Sequence, residues 1–287
     1  MTDRRKRLEE KLAGEGVAAG KADMEHILDL FEALETVKGE PPEVERLILD
    51  LKRAASGNIR PERVLGCALF FGHALECPLE TLIPTNDTEE MVRRSIELLS
   101  RRSRGSAPLN VLDLGTGCGN IGLSIASSVK DVILHATDIV TEALDVTRRN
   151  AERLGVSERV FLHHGDLFEP LEGKGLEGSF DMIICNPPYI PTNSIYRLPD
   201  IVKRNQPREA LDAGPYGIDI IRRLVKEAPV WLSDGGHLIF EIGKGQGKFV
   251  RRLIDRYWAP ETVREGFYGN DLRFFECMNV ISEEKDH

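Results

Sequence analysis

The segment Val111-Leu112-Asp113-Leu114-Gly115-Thr116-Gly117-Cys118-Gly119-Asn120-Ile121-Gly122 decides the fold of this 287-residue chain. An apolar run, closely spaced glycines and then an apolar helix pattern predict a strand, a sharp turn and a helix. The same alternation continues beyond residue 107. It predicts strands at 110–114, 132–137, 160–163, 181–185, 237–241 and 272–278, and helices at 121–129, 141–154, 218–228 and 247–257. Such alternation is typical of an α/β domain whose mostly parallel sheet has helices on both faces.

The first part of the chain shows helix patterns without this alternation. Apolar residues within 24–37 and 44–55 recur at the spacing of one helix face. Pro61 opens a third predicted helix, which runs to about Phe70. These faces predict a small helical bundle ahead of the sheet.

The composition shift near residue 107 predicts the domain boundaries. We predict a helical domain at 1–78, a connector at 79–106 and the α/β domain at 107–287. Within the connector, Asp87 is the predicted N-cap of a helix, because Glu90 follows three residues later as in a capping box. The arginine-rich end of the connector, 101–106, is predicted to be a solvated linker.

The composition is that of an ordinary globular protein, with 41% hydrophobic and 30% charged residues. No apolar stretch reaches the roughly 20 residues that span a bilayer, and no signal-like segment opens the chain, so we expect a cytoplasmic protein without a membrane partner. The net charge of −9 disfavours nucleic acid as a partner, because phosphate binding needs a basic surface. Five cysteines without a Cys-x-x-Cys pair, and His163-His164 without metal-ligand spacing, predict neither a disulfide framework nor a metal site.

An acidic residue ends the strand that follows the glycine loop. Asp138 stands where a carboxylate can accept both hydroxyl groups of a ribose, which predicts an adenosine-containing cofactor. Gly117-x-Gly119-x-x-Gly122 also satisfies the dinucleotide fingerprint, with an acid roughly 20 residues further on, so an NAD-dependent oxidoreductase is one interpretation. Asp113 favours another, because Asp-x-Gly-x-Gly-x-Gly resembles the first motif of class I S-adenosylmethionine methyltransferases. Its carboxylate can bind the cofactor's ammonium group, directly or through water.

A further acidic turn, Gly165-Asp166-Leu167-Phe168, follows the third predicted strand. In proteins of this type, that position brings an acid or its neighbour beside the adenine. Asp166 and Leu167 are therefore candidates for the adenine pocket, and a solvated turn is the alternative interpretation.

The fourth predicted strand of the sheet runs directly into Asn186-Pro187-Pro188-Tyr189. The two prolines fix φ and remove two backbone donors, so the loop is stiff and its carbonyl oxygens remain available as acceptors. Together with the side-chain oxygen of Asn186, they can bind both N–H bonds of a planar –NH₂ group while Tyr189 packs against it. Orienting a weakly nucleophilic amide nitrogen toward a sulfonium methyl can lower the barrier by up to roughly 7–11 kcal/mol. Asn rather than Asp at the first position fits a neutral substrate.

Together these motifs resemble the peptide chain release factor glutamine-N5 methyltransferase family, from about Val64 to the end of the chain. The blocks that carry the resemblance are Leu82-Ile83-Pro84 with Thr88-Glu89, Asn186-Pro187-Pro188-Tyr189-Ile190-Pro191, Pro207-Arg208-Glu209-Ala210-Leu211 with Gly214 and Gly217, Phe240-Glu241-Ile242-Gly243 with Gln246-Gly247, and Gly269-Asn270-Asp271. The positions that differ from the usual family pattern are Thr85, Asn86, Gln206, Ala213 and Tyr216.

The resemblance implies a Rossmann-like class I methyltransferase domain with a mostly parallel seven-stranded sheet, preceded by a small all-helical domain that recognises the substrate. It implies S-adenosylmethionine as the cofactor and the glutamine of a release factor's Gly-Gly-Gln loop as the methyl acceptor. The catalytic residues that it implies are Asn186, Pro187, Pro188 and Tyr189. The cofactor-binding residues that we expect are Asp113, Gly115, Thr116, Gly117, Cys118, Gly119, Asp138, Ile139, Asp166, Leu167 and Asn186.

Three other functions remain open at this point. The same chemistry could act on another protein or on a small molecule. Adenine N6 methylation uses a related loop, although the acidic charge disfavours it. An NAD-dependent oxidoreductase is the third.

Overall fold

A computed structural model describes residues 3–17, 21–39, 43–102 and 107–280 of the chain. Its helices are α1 (Asp3–Gly14), α2 (Lys21–Lys38), α3 (Val44–Ser56), α4 (Pro61–Leu65), α5 (Thr88–Arg101), α6 (Asn120–Ser128), α7 (Thr141–Arg153), α8 (Asp200–Asn205), α9 (Asp219–Trp231) and α10 (Gly247–Ile254). Its strands are β1 (Cys67–Phe70), β2 (His73–Glu76), β3 (Leu109–Leu114), β4 (Val132–Asp138), β5 (Val160–His164), β6 (Phe180–Cys185), β7 (Leu232–Glu241), β8 (Val263–Tyr268) and β9 (Asp271–Met278).

The described residues form two compact units. The first contains the chain up to Pro84 together with Arg197–Arg208, and the second contains 85–196 and the residues from Glu209 onward. The first unit thus includes α8, a helix that the sequence patterns did not predict.

The first unit is built around the apolar face of α2. Ile27, Phe31 and Leu34 on that face are 3–4% exposed. They pack in one cluster with Leu51 of α3 and Leu12 of α1. The apolar spacing therefore predicted the buried face of α2 correctly, while α1, with its mostly charged sequence, was not predicted.

The predicted helix from Pro61 to about Phe70 is wrong beyond Leu65. Gly66 has a left-handed backbone with φ of +67°, and its N–H donates to the Glu62 carbonyl, which ends α4. Strands β1 and β2 then form an antiparallel hairpin. Phe71 and Gly72 both have positive φ at its turn, as a tight two-residue hairpin requires. The first unit is therefore helical with a hairpin added, and not all-helical.

The second unit contains the predicted mostly parallel sheet with its flanking helices. Its seven strands lie in the order β5-β4-β3-β6-β7-β9-β8, in which the first five are parallel and β9 and β8 are antiparallel additions. Phe180 of β6, Phe240 of β7 and Leu224 of α9 are fully buried in one apolar cluster. The carboxyl ends of β3, β4, β6 and β7 meet at one edge, where ligands bind in open parallel sheets.

The connector differs from its prediction at both ends. Asp87 occupies the predicted N-cap position of α5, but its backbone is helical and its side chain makes no cap bond, so the predicted capping box does not form. Arg102 is only partly exposed and is not a freely solvated side chain, because its Nε and Nη1 donate to the buried Asp181 carboxylate and to the Gly235 carbonyl at 2.5 Å each. The remainder of the predicted linker, 103–106, lies outside the described residues.

In the described part of the chain, no helix combines the length and the apolar character that crossing a bilayer would require.

Candidate active site

Asp113 lies near the end of β3 and is 1% exposed. Its Oδ2 accepts hydrogen bonds from the Thr116 hydroxyl at 2.8 Å and the Gly122 N–H at 3.0 Å. Among the described residues, no partner reaches its Oδ1. Burial raises the pKa of Asp113 to about 6, against the lowering effect of these two bonds. A buried carboxylate with a free oxygen is suited to bind a cation or another donor.

Asp138 ends the neighbouring strand β4 and is 8% exposed. Its two oxygens accept the N–H groups of Gly117 and Val140, each at 2.9 Å. Burial raises its pKa, and the backbone N–H bonds oppose that rise. Each carboxylate oxygen can accept a second bond, so the residue ties the glycine loop to β4 and keeps capacity for hydroxyl donors.

The glycine loop is held from both sides. The N–H groups of Gly115 and Thr116 donate to the Thr137 carbonyl of β4. From α7, Thr147 donates to the Gly117 carbonyl at 3.0 Å and Asn150 donates to the Cys118 carbonyl at 2.8 Å.

The loop's glycines have left-handed backbones, with φ of +68° at Gly115, +58° at Gly117 and +80° at Gly119. Cys118 is fully buried and Thr116 is 3% exposed. The loop is therefore a fixed surface with Asp113 and Asp138 against it.

The remaining predicted cofactor-binding residues, Ile139, Asp166 and Leu167, lie after the ends of β4 and β5, outside the glycine loop. Ile139, directly after β4, is 54% exposed. The Asp166 carboxylate accepts a hydrogen bond from Arg223 of α9 at 2.6 Å. Leu167 is 7% exposed and has a positive φ of +49°, which is unusual for a branched side chain. The turn after β5 is thus fixed by an ion pair and a strained residue.

The Asn-Pro-Pro-Tyr loop begins directly after β6, between the glycine loop and the end of β7. The Asn186 Nδ2 donates to the Thr88 hydroxyl at 3.5 Å. Pro187 is buried, whereas Pro188 and Tyr189 are partly exposed. Burial raises the pKa of Tyr189. The side-chain amide of Asn186 and the ring of Tyr189 are therefore partly accessible, while Pro187 between them is buried.

Gln246, just before α10, fixes the far end of this loop. Its Nε2 donates to the Tyr189 carbonyl at 2.9 Å and to the Gly217 carbonyl at 3.1 Å. Its Oε1 accepts the Gly243 N–H at 2.8 Å. One side-chain amide thus joins three segments, and only the resemblance of the Gln246-Gly247 block had drawn attention to it.

A buried charged cluster supports the loop from the β7 side. Glu241 at the end of β7 is 3% exposed and accepts the Thr88 hydroxyl at 2.6 Å. Arg273 of β9 donates to Glu241 at 2.8 Å and pairs with Asp87 at 2.7 Å. Burial raises the pKa of Glu241 to about 7, opposed by the Thr88 hydroxyl and the Arg273 charge.

Sequence patterns did not find the support from Thr88 and Arg273. A usable signal existed for Glu241, because a carboxylate at the end of a parallel strand next to the Asn-Pro-Pro-Tyr strand is expected at the ligand edge. Thr88 stands in one of the blocks that carry the resemblance, but nothing there indicated its bond to Glu241, and Arg273 stands in none of those blocks.

A cavity of about 880 Å³ adjoins the loop. Its lining includes Tyr189, Pro191, Tyr216 and Phe249. Tyr216 is 76% exposed and Phe249 is 54% exposed. The opening beside Tyr189 is therefore largely apolar and aromatic.

Over residues 3–17, 21–39, 43–102 and 107–280, no cluster of His, Cys, Asp and Glu has the composition of a metal site. The His163 ring stacks on His135 and exchanges a hydrogen bond with it at 3.0 Å. Burial, more than the neighbouring His163, lowers the pKa of His135 to about 4.

Comparison with known proteins identifies relatives of this arrangement. The methyltransferase small domain family matches residues 96–198, which contain the glycine loop and the Asn-Pro-Pro-Tyr loop. A protein of Bacillus cereus named release factor glutamine methyltransferase is 36% identical over 217 residues, which are 75% of this chain and 75% of the relative. A protein of the same name from Gloeobacter violaceus is 31% identical over 254 residues, which are 85% of this chain and 86% of the relative.

Solved structures show a related fold. The hMettl16 catalytic domain, in complex with hairpin 6 of the MAT2A 3′UTR, superposes with a TM-score of 0.57. The match covers 74% of this chain and 77% of that chain, at 16% sequence identity. At that identity the likeness concerns the fold alone.

Proposed function

Because this chain belongs to the release factor glutamine methyltransferase family, we propose that it methylates the N5 side-chain amide of the glutamine in a release factor's Gly-Gly-Gln loop. The chain is a methyltransferase and its cofactor is S-adenosylmethionine. The proposal is carried by the arrangement of residues at one edge of the sheet. There, two buried carboxylates face the glycine loop, and Asn186 and Tyr189 follow on the adjacent strand.

The residues at this edge fit the cofactor. The buried Asp113 Oδ1, which lacks a partner within the described residues, supplies an acceptor for an ammonium group. Asp138 retains acceptor capacity for ribose hydroxyls at the end of the next strand. The glycines between them allow a ligand to approach the backbone closely. We keep Ile139, Asp166 and Leu167 as proposed adenine-side residues.

When bound, S-adenosylmethionine supplies an electrophilic sulfonium methyl, so the protein has little covalent chemistry to perform. Asn186 Oδ1 and the carbonyl of Pro187 each accept one N–H of the substrate amide. This grip fixes the nitrogen and disfavours delocalisation of its lone pair into the substrate carbonyl. Tyr189 packs on the planar amide, and Pro188 keeps the loop stiff.

A glutamine can enter such a slot only from a flexible, protruding loop, since a glutamine within a helix or strand could not reach past its own backbone. Two glycines before the glutamine give that freedom, which is why a Gly-Gly-Gln loop fits. We propose that the helical first unit helps to dock the release factor. The net charge of −9 supports a protein partner over a nucleic acid and, with a translation substrate, a cytoplasmic location.

The test uses the full chain, methyl-labelled S-adenosylmethionine and an intact bacterial release factor. We expect one methyl group on the loop glutamine, located by peptide mass spectrometry, and no label when that glutamine of the substrate is replaced by alanine. A folded enzyme that binds S-adenosylmethionine but never labels release factors contradicts the assigned substrate. Label on a different protein would then favour the second candidate, the same chemistry on another side-chain amide.

Replacing Asn186 tests the grip on the amide. Asn186→Ala removes one acceptor, so we expect kcat to fall about 100-fold or more while calorimetric affinity for S-adenosylmethionine changes far less. The matched control is Asn110→Ala at the start of β3, where the side chain reaches the Ser179 carbonyl. Near-normal kcat in Asn186→Ala would mean that the loop has only a structural role.

A further inference from the structure

Three polar side chains from separate segments form a chain beneath the methyl-transfer loop. The Asn186 Nδ2 lies 3.5 Å from the Thr88 Oγ1, and that hydroxyl donates to the Glu241 Oε2 at 2.6 Å. Thr88 is 1% exposed and Glu241 is 3% exposed. Water therefore has little access to the two inner members, and their hydrogen-bond directions depend on each other.

When Glu241 is ionised, the three groups can donate and accept their hydrogen bonds in one direction only, from Asn186 through Thr88 to Glu241. A carboxylate only accepts, and a threonine hydroxyl has a single hydrogen to donate. With that hydrogen directed to Glu241, Thr88 can offer Asn186 only a lone pair. The Asn186 side chain must then turn its –NH₂ group toward Thr88 and its Oδ1 away from it.

We infer that Thr88 and ionised Glu241 are positioning residues that fix the direction of the Asn186 amide, so that its oxygen faces the methyl acceptor. This inference rests on the proposed function for the identity of that acceptor. In the opposite direction, the Asn186 –NH₂ would face the –NH₂ of the substrate, donor against donor. The direction of one side-chain amide therefore separates a productive grip from a repulsive one.

We call the hydrogen-bonded chain from Glu241 through Thr88 to Asn186 the relay. Its direction depends on the charge of Glu241. If Glu241 is protonated, it can donate to Thr88, whose own hydrogen is then free to donate to Asn186 Oδ1 and to favour the reversed amide. Its charged neighbours are Arg273 of β9, which lowers the Glu241 pKa, and Asp87 before α5, which raises it. Glu241 in turn raises the pKa of Tyr189 after β6 and of the Cys185 thiol at its end, although burial is the larger cause for both.

These opposing effects leave the pKa of Glu241 at about 7. The carboxylate is present above that pH and is lost as the pH falls through it. We therefore expect kcat to decline on the acid side of neutrality. The decline in kcat is therefore measured across a pH range that extends below 7.

The kinetic test compares three variants of the full chain. Thr88→Val keeps the shape but has no hydroxyl, and we expect at least a 10-fold loss of kcat with little change in S-adenosylmethionine affinity. Thr88→Ser restores the hydroxyl and should recover most of that kcat. Ser95→Ala is the matched control, because it removes a buried hydroxyl of the same helix that donates within its own turn, to the Met91 carbonyl.

The pH profile separates positioning from packing. The wild type should show an acid limb near pH 7, and Glu241→Gln should lack that limb. Wild-type kcat in Thr88→Val, or an unchanged acid limb in Glu241→Gln, contradicts the relay.

A substrate-free measurement keeps the relay testable if release factors are not methylated. In ¹⁵N-labelled enzyme with S-adenosylmethionine, the side-chain –NH₂ resonances of Asn186, assigned by their loss in Asn186→Ala, should shift with the ionisation of Glu241. The shift should disappear in Glu241→Gln and in Thr88→Val. If the resonances do not respond to pH in the wild type, or respond equally in Thr88→Val, the relay is wrong. Failure to label release factors with these shifts intact would contradict the proposed substrate alone.

Discussion

At the scale of single residues, Asp113 combines burial with an unused acceptor. Its pKa is about 6 because burial disfavours the carboxylate, and the neighbouring charge of Asp138 acts in the same direction. Near pH 6 the free protein therefore holds a proton on Asp113 about half of the time. An ammonium group bound at Oδ1 would favour the carboxylate and displace that proton.

This predicts proton release on cofactor binding. Calorimetric titration of S-adenosylmethionine at pH 6 in buffers of different ionisation enthalpy should show release of up to about half a proton per bound cofactor. At pH 8 the release should vanish, because Asp113 is already ionised. Asp113→Asn, which keeps the shape without the charge, should abolish the release and weaken binding. Equal release by Asp113→Asn would assign the proton to another group.

The sequence identified some of these residues as candidates and not others. Asp113, Asp138 and Asn186 each stand beside a local signal, either the glycine loop, a strand end or a double proline. No local signal indicated that Thr88 and Arg273 support the site, although Thr88 belongs to a block of the resemblance, since only the folded sheet brings α5, β7 and β9 together. Their hydrogen bonds to Glu241 depend on tertiary geometry that no spacing in the chain encodes.

At the scale of elements, the turn from β3 to α6 allows glycine-to-alanine changes to be compared within one loop. Gly117 and Gly119 both have positive φ, so alanine costs roughly 1–2 kcal/mol of backbone strain at either position. Their surroundings differ. A Cβ at Gly119 would lie 2.6 Å from Leu123 Cδ1 and 3.0 Å from Thr147 Cγ2, whereas a Cβ at Gly117 would meet nothing within 4 Å.

The two variants should therefore fail in different ways. Gly119→Ala should lower the free energy of unfolding by about 1–3 kcal/mol more than Gly117→Ala does, because it overpacks the junction with α6 and α7. Gly117→Ala should mainly weaken S-adenosylmethionine binding, since its methyl group points into open space beside Asp138. Denaturant unfolding and calorimetric binding measure the two effects. Equal stability of the two variants would contradict the packing argument.

Most of the sheet could be predicted from sequence, and the errors have physical causes. The predicted strands at 110–114 and 132–137 lie within β3 and β4, because buried parallel strands are continuous apolar runs. Strand β8 was missed because it is an exposed edge strand without apolar alternation. Strand β7 begins at Leu232, before the predicted start, because Asp234-Gly235-Gly236 has the composition of a turn. Gly235 does have a left-handed φ of +65°, but it lies at an irregularity in the pairing with β6, and the strand continues through it.

At the scale of the whole molecule, the second unit contains buried carboxyl groups whose pKa values are shifted in opposite directions. Burial raises the pKa of Asp113 to about 6 and that of Glu241 to about 7. Glu276 of β9 is also buried, and burial alone would raise its pKa. His237 of β7 and Arg94 of α5 nevertheless lower that pKa to about 2. Burial lowers the pKa of His135 to about 4, so this neutral histidine also favours folding at higher pH. The unit therefore contains groups that favour folding at low pH and groups that favour it at high pH.

The signs follow from linkage between protonation and folding. Groups with raised pKa contribute stability that is complete below their ordinary value and is lost as the pH rises through the folded value, here from about 4 to about 7. Glu276 contributes stability that is present above its ordinary value of 4.5 and is lost as the pH falls through about 2. Each group changes the unfolding free energy by at most about 1.4 kcal/mol per pH unit.

We therefore predict that ionisation of Glu241, which catalysis requires, lowers the stability of the second unit as the pH rises from about 4.5 to about 7. Both tryptophans, Trp231 and Trp258, lie in this unit, so denaturant unfolding followed by tryptophan fluorescence reports on it directly. Relative to the wild type, Glu276→Gln should gain stability as the pH falls below 4.5, and Glu241→Gln should gain stability as the pH rises from about 4.5 to about 7. Glu265→Gln, on the exposed edge strand β8, is the control and should keep the wild-type profile. A difference between Glu241→Gln and the wild type that stays constant from about pH 4.5 to about pH 7 would contradict this account, because it would mean that Glu241 does not oppose folding when it ionises. A gain in the relative stability of Glu241→Gln with rising pH, together with an acid limb in the kcat of the wild type, would show that the buried charge required at Glu241 for methyl transfer is maintained at a cost in stability.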